Sequence, residues 1–423
     1  MSSPHELSTE VSRLDPLDAN FAVDAIDALL RLAIERGASD IHLQPRSDGW
    51  EVLFRIDGVL SVTDFLRGGG PSDPVTRLMV LAGLPTYRSG TPMEGRLKVP
   101  GDSASPADSM RGVSMRLGVY PTVHGPRGVV RILRHHSSHE TIDTLGLGQE
   151  QQQRLNELCD QKDGIVLLSG PAGSGKTTTL YAILREIASR RPRRSVMTIE
   201  DPVETVVDAI SQSELDPVGG MTLGAALRSA VRQDSDVLLV SEIRDPETAE
   251  AAMQASLTGH LVFSSLHSSD VASSLRRLTQ LGVPHHLVCS GVRAIINQRL
   301  LRRLCGTCQQ GQAVRNSGLV RNSVEDANRL NACPDCAGTG YRGRIAIAQI
   351  VRIDGNDPVG DALADSLEAG DPVQRMRLAA KTAGAVDLHE TAGSYVEQGI
   401  TDRAEVYRVL GKQDGNGAQQ PCD

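Results

Sequence analysis

The stretch IVLLSGPAGSGKTTTLYA, residues 165–182, decides the fold. Ile165–Ser169 is a short, almost continuous apolar run, the pattern of a strand buried on both faces. A helical pattern over Thr177–Ser189 follows. Between them lies Gly170-x4-Gly175-Lys176-Thr177, a phosphate-binding loop in the strand-to-helix context that such a loop requires. The loop Gly170, Pro171, Ala172, Gly173, Ser174 and Gly175, together with the helix N-terminus, offers backbone N–H groups to phosphate oxygens. Lys176 adds a point charge toward the β and γ oxygens, the Thr177 hydroxyl suits Mg²⁺, and Thr178 completes the nucleotide-contacting set. A nucleoside triphosphate is expected here.

Outward from this loop, Val196–Ile199, Val237–Val240 and Leu261–Ser264 repeat the buried-strand pattern. Helical stretches at Leu223–Arg232 and Pro246–Leu257 separate them, the second with proline in its first turn. Strands alternating with helices predict an α/β doubly wound domain with a parallel-rich sheet. In such sheets ligands gather at the carboxyl ends of the strands. The strand Val237–Val240 ends in Ser241-Glu242, and Glu242 is placed to hold Mg²⁺ through water.

The segment TIEDPVE, 198–204, crowds three carboxylates around a proline. Spacing alone leaves an acidic surface turn open. At a strand end in this sheet the cluster faces the γ-phosphate and its metal instead. Glu204 then orients or deprotonates the attacking water, while Glu200 and Asp201 assist with the metal or a neighbouring arginine. In HLVFSSLH, 260–267, His267 stands at the carboxyl end, placed to sense the γ-phosphate, and His260 caps the strand start.

Upstream, apolar residues at helical spacing over 22–36 end at Gly37. Trp50, Val52, Phe54 and Ile56 alternate with Glu51, Leu53 and Arg55 as a half-buried strand, and Asp57-Gly58 turns it into a hairpin. Further strands are expected at Arg96–Val99, Val113–Val119 and Gly128–Leu133, with surface loops at 68–74 and 101–109. The expected organisation is a disordered N-terminus (1–21), an α+β domain (22–135), a His/Ser-rich linker (136–149) and the α/β domain (150–410). A disordered tail (411–423) follows. The three histidines at this junction, His135, His136 and His139, read as solvated.

The 423-residue length suits two or three domains, and 39% apolar residues with only 3% aromatic ones predict aliphatic cores. A net charge of −8 argues against a surface that binds nucleic acid as a whole. With no apolar stretch of about 20 residues and no signal peptide, a cytosolic chain is expected. Seven cysteines do not suggest a disulfide framework. Four form two pairs, Cys305-x2-Cys308 and Cys333-x2-Cys336. Cys159, Cys289 and Cys422 are scattered.

At this point a resemblance is specific. GPAGSGKTTTLYA (170–182), MTIEDPVE (197–204), LLVSEIRD (238–245) and GHLVFSSLHSSD (259–270) resemble the Walker A, Asp box, Walker B and His box of the bacterial secretion ATPases. These are the type II secretion and type IV pilus motor superfamily, the "protein E" family. GASDIHLQP (37–45) and FRIDG (54–58) resemble its N-terminal domain, and QRLLRRLC (298–305) leads into its tetracysteine region. The match runs from about 22 to 410.

The resemblance implies a RecA-like domain preceded by a PAS-like α+β domain, in a homohexamer with ATP between the two. It also implies arginines from the N-terminal domain that reach the γ-phosphate, and the matching positions are Arg116 and Arg131. A zinc subdomain is implied over 300–345, with helices over 346–410. Cys305, Cys308, Cys333 and Cys336 would close a tetrahedral Zn²⁺ site of structural type.

Three features depart from the family pattern: Ser241 stands where a glycine is usual, Pro126 replaces an acid, and only about twenty residues precede the first helix. The additional N-terminal domain that docks many members on their membrane platform is therefore not expected in this sequence. The implied activity is ATP hydrolysis that powers pilus or pseudopilus assembly from the cytoplasmic face of the inner membrane, with platform components as partners. No specific nucleic acid and no transmembrane span are expected. Retraction or DNA-uptake ATPases are the rival within the class, and the tetracysteine element argues against retraction. A non-hydrolysing nucleotide-dependent scaffold is the rival outside it.

Overall fold

The computed structural model describes residues 14–87, 90–97, 113–134, 139–216, 219–309, 333, 335–336 and 338–412. The loop expected at 101–109, residues 135–138 at the start of the histidine-rich segment, much of the span between the cysteine pairs, Cys422 and nearly all of the expected tail lie outside them. The chain divides between His135 and His136 into two units.

The N-terminal unit opens with helix α1 (Phe21–Glu35), then strands β1 (Ala38–Arg46), β2 (Gly49–Ile56) and β3 (Val59–Arg67). Helix α2 (Pro74–Leu81) and strands β4 (Met93–Leu97), β5 (Val113–Thr122) and β6 (Gly125–Arg134) complete it. The six strands form one antiparallel sheet in the order β3-β2-β1-β6-β5-β4. Strand side chains alternate between faces. Ile41, Leu43, Val52, Phe54, Leu117 and Val130 point to a core shared with α1 and α2. The other face carries a cross-strand row set by register: Arg55 opposite Asp40, Asp40 opposite Arg131, Arg131 opposite Arg116, Arg116 opposite Arg96.

The second unit holds α3 (Gln149–Cys159), β7 (Gly164–Ser169), α4 (Lys176–Ser189), β8 (Val196–Glu200), β9 (Ser211–Glu214), α5 (Leu223–Ala230) and β10 (Val237–Val240). Next come α6 (Pro246–Leu257), β11 (Leu261–Leu266), α7 (Val271–Gln280), α8 (His285–Gly291), β12 (Val292–Leu304) and α9 (Gly306–Gln309). Strand β13 (Tyr341–Arg352) and helices α10 (Pro358–Glu368), α11 (Val373–Thr382), α12 (Leu388–Glu397) and α13 (Arg403–Leu410) close the described chain. Residues 346–352, expected among the terminal helices, therefore belong to a strand.

The sheet order is β13-β12-β7-β11-β10-β8-β9, parallel throughout except for the antiparallel β12–β13 pair at one edge. Both faces are covered. Ile165 and Leu167 enter one core and Val166 and Leu168 the other. That two-sided burial is why the strands read as unbroken apolar runs.

The expected linker contributes to the second core, which is a correction. Thr141 caps a single 3₁₀ turn over Ile142–Leu145, and Ile142, Leu145 and Leu147 are buried with Leu155, Leu158 and Ile183. Three apolar residues so close together were too short a pattern to signal this.

Candidate active site

Strand register brings the motif ends together. Ser169 pairs with Leu266, Ser264 with Val240, and Val240 with Ile199. The residues just beyond these positions, Gly170, His267, Glu242 and the 200–204 loop, therefore leave the sheet at one end.

The phosphate loop needs its glycines. Gly170 and Gly175 sit at φ +148° and +87°. A Cβ on Gly170 would meet the Gln298 carbonyl oxygen at 2.6 Å, and one on Gly175 would meet Gln298 Nε2 at 2.8 Å. Backbone so closely applied to a neighbouring strand admits no side chain. Lys176 is buried, and its Nζ donates to the carbonyl oxygens of Gly170 (2.8 Å) and Pro171 (3.1 Å). Burial lowers its proton affinity and Glu242 opposes that effect. Ser174 Oγ is buried without a hydrogen-bond partner inside the same loop. A polar ligand would satisfy it, so the cradle fits a phosphate group.

Glu242 is the electrostatic centre. Its carboxylate meets Arg244 Nη2 at 2.8 Å and His267 Nε2 at 3.3 Å, while His267 Nδ1 lies 3.2 Å from the Gly170 carbonyl oxygen. His267 thus bridges the phosphate loop and the acid of the neighbouring motif. The Arg244 guanidinium is held charged foremost by its hydrogen bond to Glu242. His260 stays at the other end of its strand, Nδ1 at 3.2 Å from the Ala255 carbonyl oxygen, in the capping position expected of it. Asp201 and Glu204 are exposed on the loop after β8. Thr177 and Thr178 are half-buried in the first turn of α4.

Glu200 departs from its expected role. It is 3% exposed, and both carboxylate oxygens are taken by protein donors: Tyr181 on one, Thr198 (2.6 Å) and Gln212 (3.1 Å) on the other. Burying a carboxylate is costly unless it is hydrogen-bonded, and these three donors meet that requirement. It ties elements together beneath the acidic loop, a correction to its assignment as a metal or arginine partner.

Strand β12 supplies residues that sequence reasoning did not assign. Gln298 Nε2 donates to the Ser174 carbonyl oxygen (2.8 Å) and its Oε1 accepts from Thr179 Oγ1 (2.9 Å). Asn297 Nδ2 reaches Ser169 Oγ (2.7 Å), and Arg299 Nη2 reaches the Ser269 carbonyl oxygen (2.6 Å). The run Asn297-Gln298-Arg299 carried no sign of burial in the sequence, because the bonds that bury it run to distant segments.

The arginines expected from the N-terminal unit share its open sheet face. Arg116 pairs with Glu94 (3.0 Å) and Arg131 Nε with the buried Asp40 (3.1 Å). Both keep more than half of their side-chain surface exposed.

The four paired cysteines converge: their sulfurs all lie within 4.8 Å of one another, with Cys305–Cys333 at 3.9 Å and Cys308–Cys336 at 3.5 Å. Four thiolates at about 2.3 Å from one zinc ion would stand roughly 3.8 Å apart, so the set fits tetrahedral zinc. The Cys333 thiol is drawn down to about 7, foremost by the backbone N–H of Cys336. The Gly340 N–H donates to Cys336 Sγ at 3.3 Å. Burial pushes the thiols of Cys308 and Cys336 up, and the Gly340 N–H opposes that shift at Cys336; a bound cation would draw the set toward thiolate, the metal-binding form.

An α/β fold with a phosphate loop, an acid at the end of the next strand but one and a histidine bridging the two defines the class of phosphate-loop nucleotide-binding proteins. Residues 16–408 match the model of the family described as "Type II/IV secretion system protein", and the chain belongs to that family. It is 35% identical over 417 residues to the type II secretion system ATPase E of Vibrio cholerae, covering 96% of this chain and 79% of that one. It is 36% identical to the type II secretion system protein HxcR of Pseudomonas aeruginosa, covering 94% and 79%. With the type IV pilus assembly ATPase PilB of Thermus thermophilus it shares 34% identity over 92% of its own length and 43% of the relative's. Among solved structures, the Legionella pneumophila ATPase DotB matches with a TM-score of 0.66 at 22% identity, covering 92% and 98%. The pilus retraction motor PilT with bound ADP matches at 0.55 and 24%, covering 90% and 99%. Those two likenesses concern the fold.

Proposed function

We propose that this chain is an ATP-hydrolysing motor subunit, working as a homohexamer that powers pilus or pseudopilus assembly. The observation that carries this reading is the meeting of Lys176, Glu242 and His267 at the carboxyl end of the parallel sheet. The RecA-like domain supplies phosphate binding through residues 170–178, with Thr177 and, through water, Glu242 holding Mg²⁺. The ion offsets negative charge on the β and γ oxygens when bound. Glu204 orients the attacking water, and His267 links the γ-phosphate position to Glu242. Arg116 and Arg131 of the PAS-like unit bring positive charge to the transferring phosphoryl, which makes turnover contingent on domain closure. The four cysteines hold a structural Zn²⁺. The motor acts in the cytoplasm, peripherally at the inner membrane; among the described residues no helix is long and apolar enough to cross a membrane.

Retraction remains the second reading within the class, and the converging cysteines favour assembly over it. ATPase and binding assays separate a motor from a non-hydrolysing scaffold. Lys176→Ala should abolish nucleotide binding, whereas Glu242→Gln and Glu204→Gln should retain binding and lose about 10²-fold or more in turnover. Wild-type protein that binds ATP without hydrolysing it, alone and with its membrane partners, would establish the scaffold instead.

A further inference from the structure

A hydrogen-bonded bridge joins the helix after the phosphate loop to the acidic loop, and no motif includes it as a unit. Tyr181 lies one turn after Thr177 on α4, at the i,i+4 spacing that places both on one helix face. Its side chain is 4% exposed. The phenol donates to Glu200 and accepts the backbone N–H of Glu204 at 3.3 Å. Burial and the Glu200 hydrogen bond both push the phenol's pKa up, so it stays a donor. From the far side, Gln212 on β9 clamps the same loop. Its Nε2 donates to Glu200 and to the Thr205 carbonyl oxygen (3.0 Å), and its Oε1 accepts the Val207 N–H (2.6 Å).

We infer that Tyr181 is a positioning residue that sets the place of Glu204 relative to the phosphate loop, with Glu200 and Gln212 as its fixed support. The inference rests on Glu204 acting on the attacking water. Its physical content is simple. Glu204 is exposed on an irregular loop, where a carboxylate wanders unless its backbone is held. The side-chain oxygen that accepts its own N–H comes from the helix that begins with Lys176 and Thr177. Phosphate contact at the start of α4 and water orientation by Glu204 therefore share one rigid connection. Misplacing a catalytic group by about 1 Å can cost on the order of 10²-fold in rate. One lost hydrogen bond on a loop with other clamps should cost less.

The test uses the full chain. Tyr181→Phe keeps the ring and removes the bridge. It should lower kcat about 10-fold, about 1.4 kcal/mol of transition-state stabilisation. KM for ATP and the affinity for a non-hydrolysable ATP analogue should stay within about 2-fold, since Lys176 and the loop are untouched. Thr198→Val is the control. It removes another donor from Glu200, with a comparable fall in Tm, but leaves the Glu204 N–H bonded, so its kcat should stay within about 2-fold of wild type. In a Glu204→Gln background, Tyr181→Phe should cause no further loss. Wild-type kcat in Tyr181→Phe, or an equal loss in Thr198→Val, would overturn the inference. If Tyr181→Phe does not fold, Gln212→Leu frees the same loop from the other side, and an unchanged kcat there would overturn it equally. A Glu204→Gln enzyme running at the wild-type rate would instead remove the role assigned to Glu204, a failure recognisable without any Tyr181 variant.

Discussion

The two sheets solve the same packing problem in opposite ways. The seven-stranded sheet buries both faces of its central strands β7, β8, β10 and β11, so these are largely apolar and most of their polar chemistry lies where they stop. The six-stranded sheet gives one face to α1 and α2 and leaves the other open, so its strands alternate and polar residues stand along their length. One sheet holds its functional groups at strand ends, on loops fixed from beneath. The other displays charged groups in a row, Arg55, Asp40, Arg131, Arg116 and Arg96, on a surface made rigid by ladder hydrogen bonds. The first arrangement suits a closed cradle for phosphate. The second suits a face that must approach something.

The sharpest way to break this comparison is to remove a charge from the row. Arg131→Ala in the full chain should lower turnover by about 10²-fold or more, a cautious reading of what an arginine aimed at a transferring phosphoryl contributes. ATP binding should survive, because the phosphate loop belongs to the other unit. Asp40 would lose one of its two cationic partners but keep Arg55, at 3.5 Å, so the sheet should remain folded. Steady-state ATPase rates beside analogue affinity check this. Near-wild-type turnover would make the open face structural and leave the strand-end site self-sufficient.

A middle-sized effect lies at the end of β12. This strand touches the end of β7 through Asn297 and the phosphate loop through Gln298, and it leads directly into Cys305 of the cysteine cluster. Purified protein should carry about one zinc ion per protomer, and Cys333→Ser should lose it. The variant should fall in Tm far more than it changes ATP affinity, because Arg302, bound to the buried Glu405, and the Cys305 N–H, bonded to the Gly340 carbonyl oxygen, still anchor the strand end. Metal analysis showing none in protein never exposed to chelator would refute the zinc assignment. A large loss of ATP affinity would show instead that the cluster braces the phosphate loop through β12.

The same contrast explains what could be read from the sequence. Central strands β7, β8, β10 and β11 were legible because two-sided burial leaves a continuous apolar signature, and the phosphate loop because its spacing is rigid. Strand β12 was not identified as a strand, although its QRLLRRL segment marked the approach to the cysteines. It is interrupted by Asn297, Gln298 and Arg299, polar residues buried because they bond to loops far away in the chain. Glu200 was recognisable as an acid near the phosphate site, but its direction was not. That depends on Tyr181, nineteen positions away, and on strand alternation that turns it inward. In the N-terminal unit the hairpin and the core face were visible in alternation, whereas the shared row of arginines appears only once strand register is known.

The smallest effect tests whether the open face is electrostatically what its composition suggests. His42 is buried on β1, and Arg127 Nη2 lies 2.9 Å from its Nδ1. An arginine has only hydrogens to give, so Nδ1 accepts and the ring is neutral there. Burial is the main cause holding the pKa below the usual imidazole value. Arg127, Arg55 and Arg131 act in the same direction and Asp40 opposes them. The folded state therefore binds this proton more weakly than the unfolded chain, whose imidazole titrates near about 6.5. As pH falls through that value the unfolded state takes up the proton first, so this residue's share of stability is complete above it and declines on the acid side. His42→Gln should flatten that decline, read as the slope of denaturant-unfolding free energy between about pH 7 and pH 5. It should leave ATPase activity near the wild-type level. An unchanged slope would mean that His42 keeps its ordinary affinity for protons, and that the arginine row is more fully screened by solvent and by Asp40, Glu51 and Glu94 than its register implies.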